Sequence, residues 1–353
     1  MDIFDGGVMS DEGIGKRSRP ASRPLRIAVV GAGRISKFHI AAWKAADGVD
    51  IVAVCDTELE RAKRAANEFP GAKAYRSVVE LLDREELDAL DVVTPPETHA
   101  EVLRLAAARG VDCLCQKPLS REFAEAADVV AEVAPRIRLM VNENRRYLPY
   151  VRQSREWIAA GLLGEVQQAA MTAFRSSYIR RVDGSYQGIP GTIIESRLYV
   201  SEALIHQIDC LRAMLGPLTV VAARMLSTDT RLDGETLSTI MMETPSRASV
   251  VLSGSSVAIG FPDRFNDRFE VLGANASLTF ADGVLRLLGP DAREQRYDVE
   301  AGYAAMYQSC FTTAALKFRD AIRNGTPFET SGDDNLETLR IVEDAYRLAR
   351  VGR

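Results

Sequence analysis

Buried strands and amphipathic helices alternate from residue 25 to about residue 146, and no other feature of the sequence restricts the fold as strongly. The run LRIAVV, at residues 25–30, is apolar throughout, as expected of a parallel strand covered on both faces. A helical pattern follows, with apolar residues spaced by three or four at Ile35, Phe38, Ala42 and Ala45. Strands separated by helices pair in parallel through right-handed crossovers. We therefore predict an α/β domain with a doubly wound parallel sheet over residues 25–146, after a tail at residues 1–24.

A glycine turn joins the first predicted strand to the first helix. Gly31 and Gly33 of GAGRIS follow the strand directly, and Asp56 ends the next strand. Gly31 permits a tight turn, Gly33 lets the backbone approach a pyrophosphate, and the helix N-terminus supplies amide donors. Ser36 stands where the G-x-G-x-x-G pattern has its third glycine. The turn predicts a dinucleotide site, with a purely structural turn as the alternative.

Asp56 also indicates which dinucleotide binds. A carboxylate accepts two hydrogen bonds from the adenosine ribose diol and repels a 2′-phosphate. Thr57 and Glu58 come next, so no adjacent arginine is available to hold that phosphate, although Arg61 lies one helical turn along. The sequence therefore favours NAD over NADP.

Lys117 ends an apolar strand in the stretch DCLCQKPLS, residues 112–120. Ligands of open α/β sheets bind beyond the carboxyl ends of the strands. Lys117, the glycine turn and the segment TPPETHAE at residues 94–101 all belong to that edge. Pro118 favours an extended backbone at Lys117. We expect Lys117 to face a nicotinamide ring; a lysine that reaches solvent from a strand end is the alternative.

The second half of the chain has a different pattern. After a helix that stops at Gly161 and a second helix at residues 202–215, several strand-like runs follow with short turns between them. Consecutive strands with short turns pair antiparallel. Two helices, at residues 311–324 and 335–350, close the chain. We predict a second, α+β domain over residues 147–353, with its last helix a candidate to pack back on the first domain.

The sequence has three histidines, so a role can be considered for each. His39 and His99 fit helix-cap or packing roles, and His99 also lies near the predicted cofactor edge. In EALIHQID, Glu202, His206 and Asp209 occupy positions i, i+4 and i+7, which share one helical face. A carboxylate beside an imidazole orients the ring and raises its basicity, as a general base requires. A two-ligand metal site and a polar stripe on an interface helix are the alternatives.

Beyond residue 24, nine motifs occur in the same order as in a known protein family. The chain is similar to the Gfo/Idh/MocA oxidoreductases through GAGRIS, VAVCD, TPPETH, QKPLS, NRRYLP, GLLGEV, HQID, FRDAIRNGTPF and DNLETLRIVEDAY. The resemblance implies an N-terminal Rossmann domain and a C-terminal domain built on a large, mostly antiparallel open sheet. It also implies NAD(P)-dependent oxidation or reduction of sugars, polyols and related compounds, by dimers or tetramers joined through that sheet.

The resemblance further implies site residues. The family's second-domain helix carries Asp-x-x-x-His-x-x-Asp, and its histidine works with the lysine of a Glu-Lys-Pro motif. Lys117, His206 and Asp209 match these motifs, whereas Glu202 replaces the first aspartate and Gln116 replaces the glutamate. We predict four catalytic residues: Lys117, His206, Glu202 and Asp209. In the expected mechanism, a substrate hydroxyl lies between Lys117 and His206. His206 accepts the hydroxyl proton while the carbinol hydride moves to C4 of NAD. Predicted cofactor contacts are Gly31, Gly33, Arg34, Ile35, Asp56, Thr94, Pro95, His99, Gln116, Lys117 and Asn144.

The predicted substrate contacts are Lys117, His206, Arg146 and Arg175. Arginines hold hydroxyls or a carboxylate, so the expected substrates include sugar acids. Tyr147 is a further candidate contact. A domain-interface role is the alternative for Arg146, Arg175 and Tyr147, and it explains Tyr147 slightly better.

Composition restricts the partners. The net charge of −5 argues against nucleic acid and anionic membranes, and no apolar run is long enough to span a bilayer. The five cysteines include no CxxC pair, which is typical of reduced thiols in a cytoplasmic protein and gives no reason to expect a metal. We expect a cytoplasmic homodimer or homotetramer that acts on a small carbohydrate-type substrate. Two rivals are an NAD-dependent glycosidase or eliminating enzyme, and a regulator that binds dinucleotide without catalysis.

Overall fold

The structure, a computed structural model, describes residues 23–179, 196–228, 232–262, 266–290, 293–299 and 302–351. Residues 1–22 of the predicted tail lie outside this described part. The chain divides into two compact units. The first comprises the described residues through Ser120 together with Ala124–Asn142 and Ala314–Asp334. The second comprises Arg121–Phe123, Glu143–Thr313 and the residues from Asn335 onward.

A six-stranded sheet in the order β3-β2-β1-β4-β5-β6 forms the centre of the first unit, and all its strand pairs are parallel. The order reverses between β1 and β4, which confirms the predicted doubly wound topology. Its elements are β1 (Leu25–Val30), α1 (Ser36–Lys44), β2 (Val49–Cys55), α2 (Leu59–Ala66), β3 (Lys73–Tyr75), α3 (Val78–Arg84), β4 (Ala89–Val92), α4 (His99–Ala107), β5 (Asp112–Cys115), α5 (Phe123–Val133) and β6 (Leu139–Val141).

Strands β4, β5 and β6, on one side of β1, are buried at every residue. This explains their continuous apolar sequences, because helices cover both faces of the sheet. One residue of β4 breaks the pattern: Asp91 is fully buried and polar. It accepts a hydrogen bond from Trp43 Nε1 at 2.6 Å and lies 2.9 Å from His39 Nδ1. Helix α1 therefore packs on the sheet through a polar contact as well as an apolar one.

Residues 314–334 return to the first unit after the second unit has been built. Phe318 meets the Trp43 ring edge-to-face at 6.4 Å between centroids. Arg138 donates to the Ala321 carbonyl at 3.0 Å, and Thr330 donates to the Val141 carbonyl at 2.6 Å. The first unit is thus completed by a segment nearly two hundred residues distant in sequence.

An eight-stranded sheet in the order β14-β13-β12-β11-β7-β10-β9-β8 forms the second unit. Only β7 and β10 pair in parallel among its described strands, so the predicted, mostly antiparallel open sheet is confirmed. The remaining elements are α6 (Pro149–Ala159), β7 (Val166–Phe174), α7 (Ile205–Leu215), β8 (Thr219–Leu226), β9 (Leu237–Glu243), β10 (Ser249–Ser255), β11 (Asp267–Gly273), β12 (Ser277–Ala281), β13 (Val284–Leu288), β14 (Glu294–Asp298), α8 (Tyr303–Asn324) and α9 (Gly332–Val351).

The two faces of this second sheet differ in burial. Met242 and Val250 are paired neighbours on the inner face and are fully buried. Tyr150 of α6 covers that face and stacks on Phe280 with 4.0 Å between ring centroids. On the outer face, Met241 is paired with Val251 and is 42% exposed. We call this surface, lined by Met241, Val251 and their neighbours, the outer sheet face.

No helix in the described residues is long and apolar enough to cross a membrane. The five cysteines are buried free thiols, and burial raises the pKa of Cys55 to about 12. Burial likewise raises the pKa of the other four thiols, which favours their protonated, less nucleophilic form.

Candidate active site

The glycine turn follows β1, and the backbone at Gly31 accommodates no other residue type without strain. Its φ is +105°, and a Cβ at this position would lie 2.5 Å from the Val93 carbonyl oxygen. Its N–H donates to the Cys55 carbonyl at 2.7 Å. The turn therefore passes between the ends of β2 and β4 at a distance that only glycine allows.

Gly33 has the opposite surroundings. It is exposed, and a Cβ there would meet no atom within 4 Å. Helix α1 begins at Ser36, whose Oγ donates to the Gly33 carbonyl at 2.7 Å. Arg34 is exposed and Ile35 half-buried beside it. The open space at the start of α1 fits a pyrophosphate, because the helix N-terminus offers amide donors and a favourable dipole.

Asp56 is held in place at the end of β2 by two backbone amides. Its Oδ2 accepts from Ala32 N–H at 2.8 Å, and its Oδ1 accepts from Glu58 N–H at 2.8 Å. Each carboxylate oxygen keeps a further lone pair, so the half-exposed group can still accept the ribose hydroxyls. Arg61 was the one nearby arginine that could have held the 2′-phosphate of NADP, and it pairs with Glu58 at 2.7 Å. Within the described chain, these residues fit NAD.

The loops after β4 and β5 are joined by His99. Its Nε2 lies 2.9 Å from the Thr94 carbonyl oxygen, and its Nδ1 lies 3.0 Å from the Pro118 carbonyl oxygen. Burial lowers the pKa of His99, although hydrogen bonds with the carbonyls of Thr94, Leu119 and Pro118 act in the opposite direction. The side chain has no exposed surface, so the geometry gives His99 the task of holding Thr94 and exposed Pro95 in place rather than touching a ligand.

Lys117 follows β5 directly, half-buried, and its main chain is held by its neighbour. Its N–H donates to the Gln116 side-chain oxygen at 2.8 Å. Gln116 is itself anchored, because its N–H donates to the Val92 carbonyl at 2.8 Å. The side-chain nitrogen of Gln116 lies 3.3 Å from His39 Nε2.

In the second unit, the carboxylate that contacts His206 is Glu143. Its Oε2 lies 3.1 Å from His206 Nδ1, and its Oε1 accepts from Asn335 Nδ2 at 3.2 Å. Glu143 is fully buried and His206 is 8% exposed. Sequence reasoning missed Glu143, which precedes His206 by 63 residues and carries no local pattern. The one available signal was its place in VNEN, two residues after a buried strand.

Glu202 and Asp209, the carboxylates expected beside His206, contact arginines. Glu202 lies in a π-helical turn, Val200–Leu204, that leads into α7, and it accepts from Arg121 at 2.8 Å. Asp209 is buried and accepts from Arg146 Nε at 2.8 Å and from Thr338 at 3.0 Å. A second bond from Arg146 completes a bidentate pair at 2.5 Å. Two nitrogens of the Arg146 guanidinium are therefore bonded to Asp209, which argues against the predicted contact between Arg146 and substrate.

Asn144 and Arg175 keep buried donors that no hydrogen bond satisfies within the described residues. These donors are Nδ2 of Asn144 and Nε and Nη2 of Arg175. Arg175 follows β7, and its guanidinium lies 3.7 Å from Asp267. Both residues stay predicted ligand contacts. Tyr147 is buried at 3% exposure. The described part of the chain contains no cluster of His, Cys, Asp or Glu that could hold a metal ion.

Comparison with known proteins identifies the family. The model of an oxidoreductase family with an NAD-binding Rossmann fold, GFO_IDH_MocA, matches residues 25–143. The model of the GFO/IDH/MocA C-terminal domain matches residues 151–279. The chain belongs to the Gfo/Idh/MocA oxidoreductase family. The glycine turn, Asp56 and Lys117 therefore lie in its NAD-binding domain.

Similar proteins of this family include sugar and polyol dehydrogenases. D-apiose dehydrogenase of Paraburkholderia graminis is 30% identical over 335 residues, which cover 92% of this chain and 88% of that protein. Inositol 2-dehydrogenase of Rhizobium meliloti is 25% identical over 341 residues, covering 92% and 96%. A solved oxidoreductase of Agrobacterium radiobacter, in complex with NAD+, L-tartaric acid and magnesium, matches 93% of this chain and 97% of its own with a TM-score of 0.84 and 25% identity.

Proposed function

We propose that this protein is an NAD-dependent dehydrogenase that oxidises a hydroxyl group of a sugar, polyol or sugar acid. The buried contact between Glu143 and His206 carries this proposal, because it supplies an oriented general base. Similarity to dehydrogenases of D-apiose and inositol supports the substrate class. Bound NAD supplies the hydride acceptor, the nicotinamide C4.

His206 takes the substrate proton in this proposal. With Glu143 accepting a hydrogen bond from Nδ1–H, neutral His206 carries its lone pair on Nε2. Nε2 then removes the proton of the carbinol O–H as the hydride leaves carbon. The imidazolium that forms lies against the fully buried carboxylate of Glu143, which stabilises it electrostatically.

Lys117 assists this proton transfer. Its ammonium group attracts the negative charge that develops on the carbinol oxygen, and so lowers the barrier to removing the proton. The bond from its main-chain N–H to Gln116 supports the role, because a fixed backbone limits where the side chain begins.

Glu202 and Asp209 support the site indirectly. Through Arg121 and Arg146, respectively, they hold the π-helical turn and α7 that carry His206. Arg175 is proposed to bind substrate, since its Nε and Nη2 are unsatisfied donors within the described residues. A planar guanidinium suits vicinal hydroxyls or a carboxylate.

The test is cofactor reduction measured against product formation over a panel of sugars, polyols and their acids. NADH formed in equal amount to oxidised product is expected. Product without NADH would instead indicate the glycosidase or eliminating enzyme, and NAD binding without turnover of any compound would indicate the regulator.

Two lysine variants make the assignment of Lys117 specific. Lys117→Ala should abolish turnover and leave the Kd for NAD unchanged, because the cofactor is held mainly through the glycine turn and Asp56. Lys63→Ala, in which an exposed lysine of α2 loses its contact with Glu60, is the matched control and should behave as wild type. Near-normal turnover by Lys117→Ala would remove Lys117 from the mechanism.

A further inference from the structure

A buried chain of hydrogen-bonding side chains runs through the first unit beneath the loop that carries Lys117. It begins at Asp91, which is fully buried and lies 2.9 and 3.0 Å from His39 Nδ1 through its two oxygens. Trp43 Nε1 donates to the same carboxylate at 2.6 Å. Removing Asp91 from water is costly unless both contacts persist, so the chain is fixed at this end.

The other ring nitrogen of His39 faces two side-chain amides. Gln116 Nε2 and Asn142 Nδ2 each lie 3.3 Å from His39 Nε2. The orientation of the Gln116 amide is determined independently, because its oxygen accepts the Lys117 N–H at 2.8 Å and its NH₂ group must then point to His39.

These contacts determine the state of the imidazole. An NH₂ group is a donor only, so His39 Nε2 must accept and cannot carry a hydrogen. Nδ1 then carries the hydrogen and donates it to Asp91. The chain runs from Lys117 N–H to Gln116, to neutral His39 and to Asp91, with each donor meeting an acceptor.

We propose that Gln116 is a positioning residue for Lys117, and that its amide is required because it alone complements both the Lys117 N–H and a neutral His39. This inference rests on the proposed function of Lys117. A carboxylate at position 116 would still accept the Lys117 N–H, but it has no hydrogen to offer His39 Nε2. His39 would then have to become an imidazolium between two carboxylates.

Nuclear magnetic resonance of histidine nitrogens tests the chain without reference to catalysis. The sequence has three histidines, so ¹⁵N-histidine labelling gives three ring patterns, and His99→Gln and His206→Asn identify their own. The remaining pattern, His39, should show a protonated Nδ1 and an unprotonated Nε2. In Gln116→Glu both nitrogens should be protonated at neutral pH. A protonated Nε2 in the wild type, or no change in Gln116→Glu, overturns the inference.

Amide exchange and kinetics test the link to Lys117. Gln116→Met has a similar volume but no acceptor, so the Lys117 amide should exchange faster in it, whereas Gln116→Glu should retain protection. Gln116→Met should also lower kcat on the order of 100-fold, as expected when a catalytic group is misplaced. Gln116→Glu should recover part of kcat.

The outcomes separate this inference from the proposed function. Unchanged Lys117 exchange in Gln116→Met refutes the positioning role whether or not the enzyme is active. Normal kcat with faster exchange refutes it as well, because the backbone bond would then have no catalytic effect. A wild type that oxidises no compound but gives the expected exchange and nitrogen patterns refutes the proposed function and leaves the hydrogen-bond chain established.

Discussion

The two glycines of the turn after β1 should fail in different ways when each is replaced by alanine. A Cβ added at Gly33 would have no atom within 4 Å, and the residue has no positive φ, so Gly33→Ala fits the free protein. We expect the free energy of unfolding to change by less than about 0.5 kcal/mol, as for substitutions outside packed regions. The added methyl group would instead occupy the space through which a pyrophosphate approaches the start of α1.

The loss of NAD affinity in Gly33→Ala follows from the contacts at stake. Displacing the pyrophosphate by one methyl group removes at least one charge-assisted hydrogen bond from the helix N-terminus, worth about 1.5–3 kcal/mol. The Kd for NAD should therefore rise roughly 10- to 150-fold. Isothermal titration calorimetry measures the Kd, and urea denaturation of the free protein measures stability.

Gly31→Ala is the matched comparison. A Cβ there would lie 2.5 Å from the Val93 carbonyl oxygen and 2.9 Å from Thr94 N, which are backbone atoms that cannot move aside alone. Strain at φ +105° contributes about 1–3 kcal/mol and overpacking about 1–3 kcal/mol, so about 2–6 kcal/mol of stability should be lost. Wild-type NAD affinity in Gly33→Ala, or wild-type stability in Gly31→Ala, would refute the assignment of the two glycines to binding and folding.

Four further substitutions test the site and the assembly. Glu143→Gln should lower kcat on the order of 100-fold without changing the Kd for NAD, because His206 loses the carboxylate that orients its ring and raises its basicity. A normal kcat in steady-state kinetics would exclude Glu143 from the mechanism. Asp209→Asn should instead lower the free energy of unfolding by about 3–5 kcal/mol, since a buried arginine loses its counter-charge; urea denaturation showing no loss would contradict this. Burial lowers the pKa of His99 from 6.5, so its stabilising contribution is complete above pH 6.5 and is lost as the pH falls through the lowered folded value. His99→Gln should flatten that part of the stability curve in urea titrations across pH, and a curve parallel to wild type would count against it. Met241→Lys on the outer sheet face should yield monomers in light scattering if the protein assembles through that face; an unchanged oligomer would place the interface elsewhere.

The parallel, doubly wound class of the first sheet could be predicted from sequence because buried parallel strands are largely apolar and their helices are amphipathic. Asp56 and Lys117 could be placed at strand ends for the same reason. Strands β13 and β14 were not predicted, because VLRLL is short and EQRYD, near the sheet edge, is polar and mostly exposed. Local pattern is informative where burial is complete and weak where a strand lies at an edge.

The partners of charged side chains could not be predicted. The spacing of Glu202, His206 and Asp209 predicted a carboxylate of the same helix beside His206, because helical periodicity offers only neighbours on that helix. The contact comes from Glu143, 63 residues earlier. His39 and Asp91 show the same limit, since 52 residues separate them. Periodicity predicts which face a residue occupies, whereas the group across from it is decided by tertiary packing.

The two buried carboxylates near α7 have different consequences for catalysis because their partners differ. Asp209 is paired with Arg146, whose guanidinium stays charged at any pH a protein tolerates, so the arginine cannot act as a base. Such a pair can hold α7 in place. Glu143 faces His206, and an imidazole, unlike a guanidinium, has a neutral form that accepts a proton, so this contact can gain a proton without leaving an unpaired charge in the interior. A general base needs that property. We therefore propose proton transfer at the Glu143–His206 contact and a positioning role for Asp209, and Glu143→Gln and Asp209→Asn test the two roles through their effects on kcat and on stability.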